Sequence, residues 1–152
     1  MKILISISII ILSTYIGFVM SGKFKEKETF FSLFYSFHEK LKREVVYSKK
    51  TIKSMLDEQE ANDFKIIMEK FLKNEKINYN IKYLKQDDLE FIKTYCENIG
   101  VGNSKSQIEY LSSVDKEVVK MLNICQDNAK KYTKLYIKLG FLIGLMIMVV
   151  IL

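Results

Sequence analysis

The amino-acid sequence predicts an all-α protein in which a cytoplasmic antiparallel helical bundle lies between two transmembrane helices. The membrane segments are predicted because residues 3–20 and 139–152 carry no charge, whereas all 18 acidic and 23 of the 24 basic residues lie between these runs. The helices between them are predicted because the 152-residue chain contains no proline and its apolar residues mostly recur every three or four positions. We therefore assign a transmembrane helix to residues 3–21, a cytoplasmic helical domain to 23–134 and a transmembrane helix to 135–152.

The positions of the lysines predict the orientation of the two spans. Only Lys2 precedes the first apolar run, three lysines follow it at once, four precede the second run, and no basic residue follows that run. Basic residues beside membrane spans concentrate on the cytoplasmic side, so the middle of the chain is predicted to be cytoplasmic. A cleaved signal peptide ending near Ser21 is the alternative for the first run, and the same charge pattern argues against it. The seven flanking lysines are Lys23, Lys25, Lys27, Lys130, Lys131, Lys134 and Lys138.

The composition of the middle region narrows the classes of partner. Its net charge is +5, from 23 basic and 18 acidic residues, and the two signs are interspersed. This pattern suits the anionic headgroups of a lipid bilayer better than a nucleic acid, for which no dedicated module is present. Cys96 and Cys125 lack metal-binding or redox spacing and are predicted to be buried thiols.

The first cytoplasmic helix is predicted to continue from the first span. Its apolar stripe contains Phe30, Phe34, Phe37, Leu41 and Val45, and is widened by Phe31, Leu33 and Val46.

The sequence also predicts the environments of two polar residues in this first helix. Glu44 lies at the edge of the stripe, either as a rim carboxylate with a Lys or Arg partner or as a polar contact within a bundle or interface. His38 is the only histidine in the chain, and we predict it to be exposed.

Three further segments follow before the next glycine. Helices are predicted from Thr51 to about Glu60 and then along a stripe of Phe64, Ile67, Met68 and Phe71. Residues 76–84 alternate as a strand would, but with no partner strand we interpret them as a linker, or as an edge that a partner completes. The next helix is predicted to begin at Asp87 or Asp88, with Asp87 and Glu90 as a capping box, and to end at Gly100. Its buried stripe is Leu89, Ile92, Cys96 and Ile99.

The stretch "GVGNSKS" from Gly100 to Ser106 resembles a phosphate-binding loop at first sight. Such a loop requires a glycine directly before the lysine, and Ser104 occupies that position. A corner between two helices fits better, with Ser104 and Gln107 as a capping box or Asn103 as the N-cap instead.

The last helix is predicted to run without a break from Ser104 into the second span. Its apolar residues follow a heptad rhythm that fails only at Asp115, which predicts a coiled-coil type of packing. The rhythm comprises Ile108, Leu111, Val118, Leu122, Cys125, Ala129, Tyr132, Tyr136 and Leu139.

No constellation in the sequence predicts catalysis. A single histidine cannot build a histidine cage, and no catalytic, cofactor-binding or metal-binding residue is assigned. We therefore predict that the chain is not an enzyme, needs no cofactor, and binds no nucleic acid and no small-molecule substrate.

Several stretches in order resemble the stage III sporulation protein AB family of endospore-forming bacteria. They are "STYIGFVMSGKFKEK", "LFYSFHEKLKREVVYSKKTI" and "ENIGVGNSKSQIEYL", followed by a long helix that enters a final span. Glu44 and Tyr47 resemble the family's E-x-x-Y, and Gln107 resembles the glutamine of its L-G-x-S-D-x-x-x-Q corner. The chain departs from this pattern in having Ile99 for leucine and Asn103 for aspartate, and in lacking a proline near residue 51.

The resemblance implies a fold and a role. It implies a cytoplasmic domain like those of type II secretion platform proteins (GspF-like), in a channel complex that links mother cell and forespore. The implied location is the outer forespore membrane, with the domain on the mother-cell side. The implied partners are a secretion-type ATPase (SpoIIIAA-like), which the protein anchors or regulates, and other stage III channel membrane proteins. Possible contact or structural residues are Glu44, Tyr47, Asn103, Ser104 and Gln107. A two-span membrane adaptor or sensor unrelated to sporulation is the alternative from the residues alone.

Overall fold

The computed structural model describes residues 2–47, 51–75 and 81–151, with side chains described for 7–46 of the first segment and to 150 in the last. It is 86% helical and contains no β-strand among these residues, which confirms the all-α prediction. In chain order the helices are α1 (Lys2–Tyr47), α2 (Ile52–Asp57), α3 (Asp63–Leu72), α4 (Gln86–Asn98) and α5 (Ser104–Ile151).

The helices form two compact units, and α1 and α5 contribute to both of them. We call Met1–Glu28 with Ile124–Leu152 the apolar unit, and Thr29–Asn123 the helical unit. The continuity of α1 confirms that the helix predicted after the first apolar run extends from that run. The predicted domain boundaries at residues 21, 23 and 134 remain predictions.

An aromatic cluster forms the core of the helical unit. The predicted stripe of α1 is buried at Phe30, Phe34, Phe37 and Leu41, whereas Val46 is 52% exposed, so its assignment to the stripe was wrong. The Phe34 ring packs edge-on against Tyr95 of α4 at 4.8 Å between ring centroids. Each such aromatic pair adds about 0.5–1.5 kcal/mol to the stability that burial provides. Phe64 of α3 contacts three of these phenylalanines, namely Phe30, Phe34 and Phe37.

Side-chain caps fix where the short helices begin. The Thr51 hydroxyl accepts the Ser54 N–H at the start of α2, and the Asn62 amide oxygen accepts the Lys65 N–H at the start of α3. These helices lie where the periodicity placed them, although α2 ends at Asp57 rather than near Glu60.

The start of α4 differs from the prediction by one or two residues. The helix begins at Gln86, and the Asp88 carboxylate accepts the backbone N–H of Lys85 at 2.7 Å. The capping box predicted for Asp87 and Glu90 was therefore wrong, because the carboxylate three residues after the true N-cap is that of Asp88. On the preceding segment, residues 81–84 form a turn closed by Leu84 N–H donating to the Ile81 carbonyl. Residues 76–80 lie outside the described residues.

In the apolar unit, α1 and α5 pack against each other and run antiparallel. Their backbones touch at glycines: a Cβ on Gly17 would clash with the Tyr136 carbonyl oxygen, and one on Gly140 would lie 2.6 Å from the Ser13 carbonyl oxygen. The Ser13 hydroxyl donates to the Gly140 carbonyl at 2.6 Å. This hydrogen bond joins the two helices where their backbones touch.

The heptad prediction for α5 is met only in part. Leu111, Val118, Cys125 and Ala129 are buried, while Ile108 is 39% exposed and therefore does not belong to the core. Leu139 is also exposed, because the helix contact in the apolar unit passes through Gly140 instead.

Candidate functional site

A buried polar cluster joins α1, α4 and α5 within the helical unit. His38 is completely buried, with Nδ1 3.0 Å from the Tyr95 hydroxyl and Nε2 3.2 Å from Asp115 Oδ1. Because an ionised carboxylate only accepts hydrogen bonds, Nε2–H donates to Asp115 and Nδ1 accepts from Tyr95. Lys42 donates to the same Asp115 oxygen at 2.8 Å and to Glu39 at 3.2 Å.

The prediction that His38 is exposed was wrong. The ring lies one turn after Phe34 on the buried face of α1, and that spacing of four residues was the available signal in the sequence. Asp115, where the heptad rhythm fails, is the second signal, because it supplies the acceptor that a buried imidazole requires. Neither Tyr95 nor Lys42 was singled out from the sequence.

Burial and charge together set the ionisation of this cluster. Burial lowers the pKa of His38, and the hydrogen bond to Asp115 opposes that effect without overcoming it. The Lys42 hydrogen bond lowers the pKa of Asp115, and the same bond raises the pKa of Lys42. Burial also raises the pKa of the Tyr95 hydroxyl. The cluster therefore contains a neutral imidazole between a phenol and a carboxylate paired with an ammonium group.

Three groups of this cluster have the composition of a cation site. Ligand atoms of His38, Glu39 and Asp115 lie within 4.8 Å of one another. The Lys42 ammonium, however, already donates to both carboxylates, and a metal ion would have to displace it. The arrangement fits a structural polar network better than a metal centre.

The corner between α4 and α5 contains three of the residues singled out from the sequence. Gly100 follows the last residues of α4 with φ of +77°, which confirms the prediction of a glycine helix stop. The Asn103 side-chain oxygen accepts the Ser106 N–H at 2.9 Å, and its carbonyl accepts the Gln107 N–H. Asn103 is therefore the N-cap of α5, a role that the aspartate of the family pattern would serve equally well.

Gln107 holds the corner together from inside. Its side-chain oxygen accepts the Gly100 N–H at 2.8 Å, and its amide donates to the carbonyl of Asn98 at 3.1 Å and to that of Val101. The capping box predicted for Ser104 and Gln107 was wrong, because the glutamine points back across the corner rather than to the start of its own helix. The Gly100 amide is thus already bonded to the Gln107 side chain.

The outer face of this corner is exposed and partly apolar. Val101 is 63% exposed and Ile108 39% exposed, and Ser104, one helical turn before Ile108, is exposed as well. We call Val101, Ser104 and Ile108 the corner surface.

The remaining two candidate residues lie at the end of α1. Glu44 is half-buried, and its Oε2 atom is buried without a hydrogen-bond partner among the described residues. No Lys or Arg partner of this oxygen is observed in that part of the chain, and the choice between a rim carboxylate and a polar contact within a bundle or interface stays a prediction. The Tyr47 side chain lies outside the described residues, so the predicted pairing of Glu44 and Tyr47 stays a prediction.

Two helices are long and apolar enough to cross a membrane. Each contains a strongly apolar stretch of 18 residues, one within Ile7–Val46 and the other within Ser104–Val150. Only 11% of each stretch is buried, whereas the core helix of a soluble protein would be mostly covered by its own chain. Over the residues that the structure describes, these features define an α-helical protein with two candidate membrane-spanning helices.

Comparison with known proteins supplies the family. The sequence model described as stage III sporulation protein AB matches residues 50–152. The chain therefore belongs to the stage III sporulation protein AB family, and its role is related to sporulation. The match includes the corner and α5 but not the earlier stretches in α1 that resemble the family. No curated protein and no solved structure matches the chain.

Proposed function

We propose that the chain is a two-span membrane platform of the mother cell–forespore channel complex, which anchors or regulates a secretion-type ATPase and contacts other channel proteins. Membership of the stage III sporulation protein AB family is the observation that carries this proposal. The same membership favours it over an adaptor or sensor unrelated to sporulation. The family is not a known enzyme family.

The lysines beside the apolar helices support a cytoplasmic helical unit. Those of α1 follow its apolar run and those of α5 precede its apolar run, so both sets mark the ends of the spans that adjoin Thr29–Asn123. By the positive-inside rule this unit faces the cytoplasm, where an ATPase has its nucleotide. During engulfment this compartment would be the mother cell, and the membrane the outer forespore membrane.

The corner surface is the region of the helical unit that we propose to contact the ATPase. It combines two exposed aliphatic side chains with a backbone that Gln107 holds in one arrangement. A pre-organised apolar patch loses little entropy on binding, which favours association. Glu44 and Tyr47 would lie outside this surface and serve the platform in another contact.

Pull-down of the purified ATPase by the full-length chain in detergent tests the proposal. We expect the wild-type chain to retain the ATPase and the Ile108→Glu variant to lose most of it. A carboxylate buried in an apolar contact costs on the order of 1–4 kcal/mol of binding free energy. The matched control is Ile66→Glu, because Ile66 on α3 is 44% exposed and lies outside the corner surface. If no version of the chain retains the ATPase, the ATPase is not its partner. If both variants lose the ATPase equally, the corner surface is not the contact.

A further inference from the structure

We propose that the apolar unit binds one anionic phospholipid, with an acyl chain in a groove between α1 and α5 and the phosphate at Lys23. The proposal rests on the two apolar helices lying in a bilayer and does not depend on the ATPase. The groove, called the span groove here, is lined chiefly by Leu12, Ile16, Met20, Tyr136, Leu139 and Ile143.

The shape and chemistry of the span groove fit a hydrocarbon chain. Its volume is about 410 Å³, within the range of roughly 300–1,000 Å³ that ligand sites occupy. The lining is almost wholly apolar, and the Ser13 hydroxyl within it is already bonded to the Gly140 carbonyl. A polar ligand would find few partners along this length, whereas methylene groups would fill the space between branched side chains.

A positive charge lies at one end of the span groove. The Lys23 ammonium is 6.0 Å from the centre of the Tyr136 ring, which lines the groove, and 5.1 Å from the centre of the Phe24 ring. On α1, Lys23 follows the groove residue Met20 by three positions and so continues the same face of the helix. The site is therefore apolar along its length and cationic at the end where a phospholipid carries its phosphate.

The side chains favour a lipid over a third helix in the span groove. Helices that pack in membranes approach through small residues, and here Gly17 and Gly140 are already used in the contact between α1 and α5. The outward rim instead carries long side chains, with Leu12 61% and Ile143 50% exposed. Long, separated side chains accommodate a flexible acyl chain more readily than the backbone of another helix.

Native mass spectrometry of the detergent-purified full chain, with dioleoyl-phosphatidylglycerol and dioleoyl-phosphatidylcholine as probes, tests this site. We expect one phosphatidylglycerol per chain, bound in preference to phosphatidylcholine. Lys23→Gln should weaken phosphatidylglycerol binding roughly fivefold, the effect of one lysine near a lipid phosphate, and remove the preference. Ile143→Trp should fill the groove and reduce binding of both lipids.

Two neighbouring positions provide matched controls. Lys25 carries the same charge on the same helix but lies over Phe18, which is not among the groove residues, so Lys25→Gln should bind lipid as the wild type does. Leu142 is as exposed as Ile143 but is also absent from the groove lining, so Leu142→Trp should have no effect. Far-UV circular dichroism verifies that all variants remain helical.

Four results would overturn the proposal. Equal binding of the two lipids would show that the site does not select an anionic headgroup. Binding of phosphatidylglycerol by Lys23→Gln at the wild-type level would show that Lys23 does not contact the phosphate. Complete displacement of lipid by inorganic phosphate would show that a free anion, rather than a lipid, is the ligand. A lipid-independent dimer that Ile143→Trp abolishes would assign the groove to a second copy of the chain.

Discussion

The imidazole of His38 on α1 and the carboxylate of Asp115 on α5, 77 residues apart in the chain, form a hydrogen bond of 3.2 Å. Asp115 interrupts the apolar rhythm of α5 at the position that lies opposite His38 of α1. Lys42 donates to the same carboxylate oxygen, so one polar residue of α5 serves two side chains of α1. The break in the rhythm is therefore part of how the helical unit is held together.

Asp115→Leu is expected to destabilise the helical unit even though it completes the heptad. It leaves the buried imidazole without its acceptor, which costs about 1–3 kcal/mol in the free energy of unfolding. Urea unfolding of the chain in detergent, followed by circular dichroism, measures the change. Lys116→Leu, at the exposed neighbouring residue, is the control and should stay within about 0.5 kcal/mol. A stabilised Asp115→Leu variant would show that the cluster is dispensable.

The stability of the helical unit is expected to fall as the pH decreases below about 6.5, the ordinary pKa of histidine. Burial lowers the pKa of His38 in the folded chain, so between the two pKa values the unfolded chain binds more protons and gains in relative population. The slope is at most about 1.4 kcal/mol per pH unit for one proton. The pKa of Asp115 is lowered and that of Tyr95 is raised, so neither titrates in this window.

Unfolding measured between pH 7.5 and 5 in wild type and His38→Gln checks this prediction. The variant should lose the part of the slope that His38 contributes, whatever its absolute stability. An identical slope in both proteins would assign the dependence to other groups.

Gln107→Ala is expected to destabilise the corner far more than Ser104→Ala. The glutamine side chain satisfies one N–H and two carbonyls of the backbone, so its loss should cost about 1–3 kcal/mol. Asn103→Ala removes the N-cap and should cost about 1 kcal/mol. Ser104→Ala is the control, since Ser104 is exposed and is not the N-cap. Thermal unfolding ranks the stability of the three variants. If Ser104→Ala loses as much stability as Gln107→Ala, the capping box of Ser104 and Gln107 would be correct after all.

Gly140→Leu is expected to separate the helices of the apolar unit. Even a Cβ at this position would lie 2.6 Å from the Ser13 carbonyl oxygen, so the backbones must move apart. Gly22→Leu is the matched control, because a Cβ there meets no atom within 4 Å. Disulfide formation between cysteines introduced by Phe24→Cys and Tyr132→Cys, whose rings stack at 4.6 Å, reports the pairing in a Cys96→Ser, Cys125→Ser background. Equal cross-linking in both glycine variants would contradict the contact.

The helices could be predicted from the sequence, but the polar contacts between them could not. Periodicity placed α2, α3 and α5 close to their observed positions, because local spacing determines which face of a helix is apolar. The burial of His38 depends on Tyr95 and Asp115, which lie 57 and 77 residues away in the chain. The role of Gln107 was missed because a short-range motif also explained its position, and only the path of the backbone at Gly100 distinguishes the two.

Cross-linking in sporulating cells tests the central claim, that the helical unit presents the corner surface to the secretion-type ATPase. A photoreactive residue would replace Ser104 in the full-length chain, and another would replace Glu97, an exposed residue of α4 outside the corner surface, as the control. We predict a membrane-fraction adduct that contains the ATPase at the first position and little or none at the second. Absence of the chain from membranes, or adducts at Ser104 that contain other proteins but never the ATPase, would contradict the account.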